Sequence, residues 1–116
     1  MSATLDPQQL RFINLVAARR FAHQEGDVPA PDVGEIDGAT PQRRAAALAA
    51  ALMQPGAVET AAAQTALLAV CCQLRRDGLR LIAPQGVLAG MVRGLATGRV
   101  TADEFAAWLQ DRSVEE

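Results

Sequence analysis

A chain of 116 residues, half of them hydrophobic, is long enough for one domain with its own core and too apolar for general disorder. Its net charge is −2 and every basic residue is arginine, which excludes the clustered basic excess of a nucleic-acid binder. With 24 alanines, no tyrosine and one tryptophan, the composition favours helix over strand. The expectation is a single all-α domain over positions 1–116, built as a compact bundle of about five helices.

Asp6-Pro7-Gln8-Gln9 marks the first helix start: Asp as N-cap, Pro at the first helical position and Gln three residues after the cap. Leu10, Ile13, Val16, Ala17 and Phe21 follow at helical spacing and carry that helix to about His23. Positions 24–39 hold two prolines, three glycines and five acidic residues. A loop this long between bundle helices reads as a functional flap or a mobile segment. Thr40-Pro41 repeats the start signal for an alanine-rich helix to about Met53, which Pro55-Gly56 stops.

The next helix is expected to start near Val58 to Ala61, with Ala63, Leu67, Val70, Cys71 and Leu74 on its apolar stripe. Arg75 and Arg76 occupy its last turn and Asp77-Gly78 closes it, Gly78 taking the left-handed position. Leu79–Ala83 is short, apolar and extended, and Pro84 ends it. Val87, Leu88, Met91, Val92 and Leu95 then form a fourth stripe, stopped at Thr97-Gly98. Thr101 and Glu104 form a capping box for the last helix, with Val100 and Phe105 as its hydrophobic staple and Trp108 and Leu109 on its buried face. Positions 113–116 are expected to fray.

No recognisable catalytic constellation is present. His23 is the sole histidine, so neither a zinc set nor a histidine-based triad can be assembled from the usual ligands. Cys71 and Cys72 point about 100° apart on a helix, poorly placed to bridge and suited to buried packing. Asp103-Glu104 is accounted for by capping. Trp108 is a core or rim residue, with a partner-anchoring role as the alternative. No signal-peptide pattern or run of ~18 apolar residues occurs, and the reading is a cytoplasmic protein with no membrane and no nucleic-acid partner.

One stretch has a reference. In the death-on-curing branch of the Fic/Doc family, an alanine- and leucine-rich helix leads directly into H-P-F-x-D-G-N-K-R-T-A-L, and an apolar helix follows. Here Ala45–Pro55 leads into Gly56-Ala-Val-Glu-Thr-Ala-Ala-Ala-Gln-Thr-Ala-Leu67 and then Leu68–Leu81 without a gap. Val87–Gln110 is similar to the family's closing pair of helices. The order of parts resembles that family over about residues 5–112.

The resemblance implies the family's helical fold and the place of its active site. The family's histidine acts as general base for nucleotidyl or phosphoryl transfer, an acidic residue holds Mg²⁺, and basic groups clamp phosphates. At the corresponding positions this chain has Gly56, Val58, Thr60, Ala61, Ala62, Ala63 and Gln64. Base, metal ligand and clamp are absent together, and only Thr65-Ala66-Leu67 matches, in a structural part. Loss of the base alone is worth about 10²–10⁴ in rate, and loss of metal and clamp removes the electrostatic stabilisation of phosphoryl transfer.

The functional expectation is a catalytically inactive Fic/Doc-like interaction or regulatory module with a protein partner and no catalytic residue, cofactor or metal. A homodimer through the alanine-rich helix 45–53 is left open. One alternative is a divergent phosphate or nucleotide binder, using the backbone N–H groups of Ala61 to Ala63 with Thr60 or Gln64. A repurposed enzyme with Glu59, Asp32 or Glu35 as base is another. The degenerate groove would then comprise Gly56, Glu59, Thr60 and Gln64.

Overall fold

The computed structural model describes residues 5–22, 31, 33, 36, 38–58 and 61–115. Among them lie five helices, α1 (Pro7–Phe21), α2 (Pro41–Leu52), α3 (Ala62–Arg76), α4 (Gln85–Thr97) and α5 (Ala102–Arg112). Two short strands, β1 (Leu79–Leu81) and β2 (Ser113–Glu115), complete the element order. The radius of gyration is 13.0 Å, as expected for one close-packed body of this length.

Three of the helix starts follow the capping chemistry in the sequence. Asp6 accepts from the Gln9 N–H at 2.8 Å, and the Gln9 side chain accepts from the Asp6 N–H at 2.9 Å. Thr101 and Glu104 make the same reciprocal pair at 3.1 and 2.9 Å. Thr40 accepts from the Arg43 N–H at 3.1 Å, ahead of Pro41. Each cap satisfies N–H groups that a helix end leaves without partners. At the other end of α3, Asp77 is the C-cap and Gly78 has φ 78°, a conformation that glycine adopts without a Cβ penalty.

Helix α2 packs against both α3 and α5, while α1 and α4 pack on α3. Ala45, Ala46, Leu48, Ala49 and Leu52 of α2 are all fully buried or nearly so. Ala45, Ala46 and Ala49 thus face the interior, while Ala47, Ala50 and Ala51 of the same helix are partly exposed. Around them stand Leu10, Ala66, Ala69, Val70, Leu74, Val92, Phe105 and Leu109, in one contiguous core.

The buried stripe of α1 is Leu10, Ile13, Asn14, Ala17 and Ala18. Val16 and Phe21, expected on that stripe, are 40% and 51% exposed. The small alanines at 17 and 18 turn the contact face away from both. Cys72 is likewise exposed and Cys71 half-buried, because a 100° step lets only one of two neighbours face the core.

The C-terminal tail does not fray over its described part. Residues Ser113–Glu115 leave α5 as β2 and pair antiparallel with β1, placing Leu79 opposite Glu115 and Leu81 opposite Ser113. Ile82 N–H donates to the Arg112 carbonyl at 2.6 Å, and Gln42 Nε2 donates to Ser113 Oγ at 2.9 Å. A single strand leaves its backbone groups unpartnered, and the tail supplies the partner. Of the 24–39 connection, Pro31 is buried and Val33 and Ile36 pack against the core. The remainder of the flap expectation lies outside the described residues.

Candidate functional site

The turn from α2 into α3 is the place to which the sequence points. Met53 caps α2, Gln54 N–H donates to the Ala51 carbonyl at 3.2 Å, and Ala57 N–H donates to the Gln54 carbonyl at 3.1 Å. Gly56 stands exposed with φ 85°. Val58 turns back to pack against the core. Glu59 and Thr60, and with them Asp32, Glu35 and His23, lie outside the described residues.

Helix α3 starts at Ala62, later than its pattern suggests, and its start is unlike the other capped ones. The N-cap is Ala61, at φ 56° and ψ 44°, with no side-chain cap. Among the described residues it is the one non-glycine position with positive φ. An alanine in this left-handed region costs on the order of 1 kcal/mol, and the residue type provides no acceptor for the helix N–H groups. Gln64 is half-buried, as are Ala61 to Ala63.

Behind the turn the structure becomes specific. Asn14 Nδ2 donates to Thr65 Oγ1 at 2.9 Å, and both residues are buried. This pair ties the first turn of α3 to α1. The site residues of the sequence reading that fall within the described set, Gly56 and Gln64, flank the turn without bringing a charge to it. Among the described residues no group of three or more His, Cys, Asp or Glu could hold a metal ion.

A second polar chain, which the sequence did not reveal, closes the opposite end of α3. Gln73, fully buried, accepts from the Leu5 N–H at 2.9 Å and donates to Asp77 Oδ2 at 3.1 Å. Asp77 also faces Arg44 Nη2 at 3.5 Å, and Arg44 Nη1 donates to the Gly38 carbonyl at 3.2 Å. A Cβ on Gly38 would stand 2.7 Å from the Arg44 backbone nitrogen. The chain holds α2, α3 and the end of the 24–39 connection together and is structural.

Both cysteine thiols ionise above the ordinary thiol range. Burial raises Cys71, and the neighbouring Cys72 adds to it. Burial also raises Cys72, with Arg75 pulling in the opposite direction. Neither is an activated nucleophile.

A third feature lies on the outer side of α4. A groove of about 650 Å³ opens between α4 and the turn that leads to α5. Val87, Met91 and Val100 supply its apolar side chains, Gly90 leaves the helix backbone bare, and Arg93 and Arg99 are its charged groups. Gly94 has a reason inside the chain: a Cβ there would meet Val100 Cγ2 at 2.5 Å. Gly86 and Gly90 have none, since nothing lies within 4 Å of a Cβ built on either. Gly90, in the helix interior, costs about 1 kcal/mol relative to alanine.

No family model matches the chain, and no curated protein matches it either. No helix among the described residues is long and apolar enough to cross a membrane.

Proposed function

We propose that this chain is a Fic/Doc-like domain without transfer chemistry, kept as a protein-interaction or regulatory module in the cytoplasm. The observation that carries the reading is the backbone at Ala61. In the gap-free match from Ala45 to Leu81, Ala61 falls where the H-P-F-x-D-G-N-K-R motif has its glycine. It is also the described non-glycine residue held at positive φ. An alanine adopts that conformation only where its surroundings impose it, so the turn has the shape that a glycine at this position would take, which supports the resemblance. The same match puts glycine, threonine and glutamine where a base, a metal ligand and a phosphate clamp would be required.

One further observation supports the reading. Thr65, the first motif residue retained, is buried and bonded to Asn14, a scaffold role. The uncapped start of α3 favours the second reading, a divergent phosphate binder, to the extent that its N–H groups have no side-chain acceptor.

Calorimetry with ATP, GTP, CDP-choline and UTP, each with and without Mg²⁺, separates the readings. The module reading expects no saturable heat. Micromolar, Mg²⁺-dependent binding would overturn it, and metal-independent binding of inorganic phosphate alone would favour the second.

A further inference from the structure

We infer that the groove along α4 is the docking surface for a helix of a different protein, one with small residues at its crossing point and carboxylates on its flanks. This deepens the module reading by naming a surface and a partner chemistry, and it rests on that reading. Gly86 and Gly90 stand one turn apart on one face of α4, a rise of about 6 Å, and at the next turn Gly94 is buried beneath Val100, which closes that end of the groove. Gly86 and Gly90 are exposed, and Val87 beside them is 47% exposed.

Nothing inside the chain uses the missing side chains at 86 and 90. What they permit is close approach of another backbone along an apolar channel, and helices pack by ridges into such grooves. The polar groups of the groove are Arg93, Arg99 and Thr97, and the Thr97 hydroxyl donates to the Gly94 carbonyl at 3.3 Å.

Charge decides between a second copy and a different protein. Helix α4 contains no acidic residue. Arg93 and Arg99 both line the groove, and neither forms an ion pair among the described residues. Two copies docked face to face would bring four guanidinium groups into one interface, and like charges brought together disfavour a pairing. A helix edged with aspartate or glutamate pairs them instead, and bidentate arginine–carboxylate contacts fix its register.

The test uses a display library of amphipathic helices. One face is varied among Ala, Gly, Ser, Leu and Val, the flanks among Asp, Glu, Lys and Arg, and the library is selected on the intact protein. The proposal expects recovered helices to be small at the crossing and acidic at the flanks. Their affinity should fall about tenfold or more on Gly90→Leu and on Arg93→Glu. Gly90→Leu adds a side chain into open space, so circular dichroism and the melting curve should show a folded protein.

Recovered helices that are basic, or that bind Gly90→Leu as well as the parent, overturn the proposal. So does a library that yields no binder. Self-association in sedimentation that Gly90→Leu abolishes overturns it in favour of a second copy. Nucleotide transfer by the protein would sink the module reading while leaving the helix-binding result standing, so the two failures are distinguishable.

Discussion

Replacing Ala61 by glycine tests whether the turn into α3 holds a glycine conformation without the residue. Ala61 has φ 56° and ψ 44°, and the left-handed region costs a residue with a Cβ about 1–2 kcal/mol. Glycine removes that cost but adds about 0.4–1 kcal/mol of unfolded-chain entropy. Ala61 is half-buried, so loss of its methyl forfeits a fraction of about 0.8 kcal/mol. The balance is a gain of about 0.5 kcal/mol. The control is Ala107→Gly, at an exposed position within α5, where helix propensity predicts a loss of about 1 kcal/mol. The two substitutions, identical in chemistry, should therefore differ by about 1.5 kcal/mol and in sign. Urea denaturation at a common slope reads this difference directly as a shift in midpoint. If Ala61→Gly destabilises as much as Ala107→Gly, the left-handed turn and the argument built on it are wrong.

The glycines of α4 should divide in the same assay. Gly90→Ala, in the helix interior with open space at its Cβ, should stabilise the isolated protein by about 0.5–1 kcal/mol; Gly94→Ala, 2.5 Å from Val100 Cγ2, should lower stability. Gln73→Leu removes the acceptor of the buried Leu5 N–H and should cost about 1–3 kcal/mol, with loss of exchange protection at the Leu5 amide. Thr65→Val strands the Asn14 amide donor at one of its bonds and should cost about 1–3 kcal/mol. The raised thiol pKa values mean that the folded state holds these protons more tightly than the unfolded one. Their contribution is therefore complete below the ordinary thiol value of 9.0 and is lost as pH rises above it. Cys72, the more exposed, should react with a disulfide reagent before Cys71, and both should react faster in urea.

Much of the fold was legible in the sequence because it is written in local chemistry. Asp6, Thr40 and Thr101 fix three helix starts through side-chain acceptors a few residues away, and Gly78 fixes an end through its own φ. The start of α3 was blurred because Ala61 carries no capping group to announce it. The tail's pairing with β1 was missed because register between Leu79 and Glu115 depends on tertiary position, and three-residue strands have little pattern to detect. The α1 stripe was misplaced at Val16 and Phe21 for a related reason. Spacing alone does not show that Ala17 and Ala18 are the faces in contact.

For the candidate site, the missing chemistry at 56–64 is legible in the residue types, whereas the left-handed backbone of Ala61 is not. The groove on α4 was hidden in plain composition. Gly86, Gly90 and Gly94 look like weak points in a helix until the space around each Cβ is known. The Leu5–Gln73–Asp77–Arg44 chain was out of reach because it links residues far apart in sequence.

The central claim is that this domain works through a docking surface and not through the turn at the start of α3. Amide chemical-shift mapping on ¹⁵N-labelled protein tests it most directly, with Mg·ATP and one selected acidic helix titrated in separate samples. The account predicts saturable shifts along α4 and the Arg99–Val100 turn with the helix, and none at Ala61–Thr65 with Mg·ATP. Saturable shifts at Ala61–Thr65 with Mg·ATP, and a silent α4 with the helix, would contradict it.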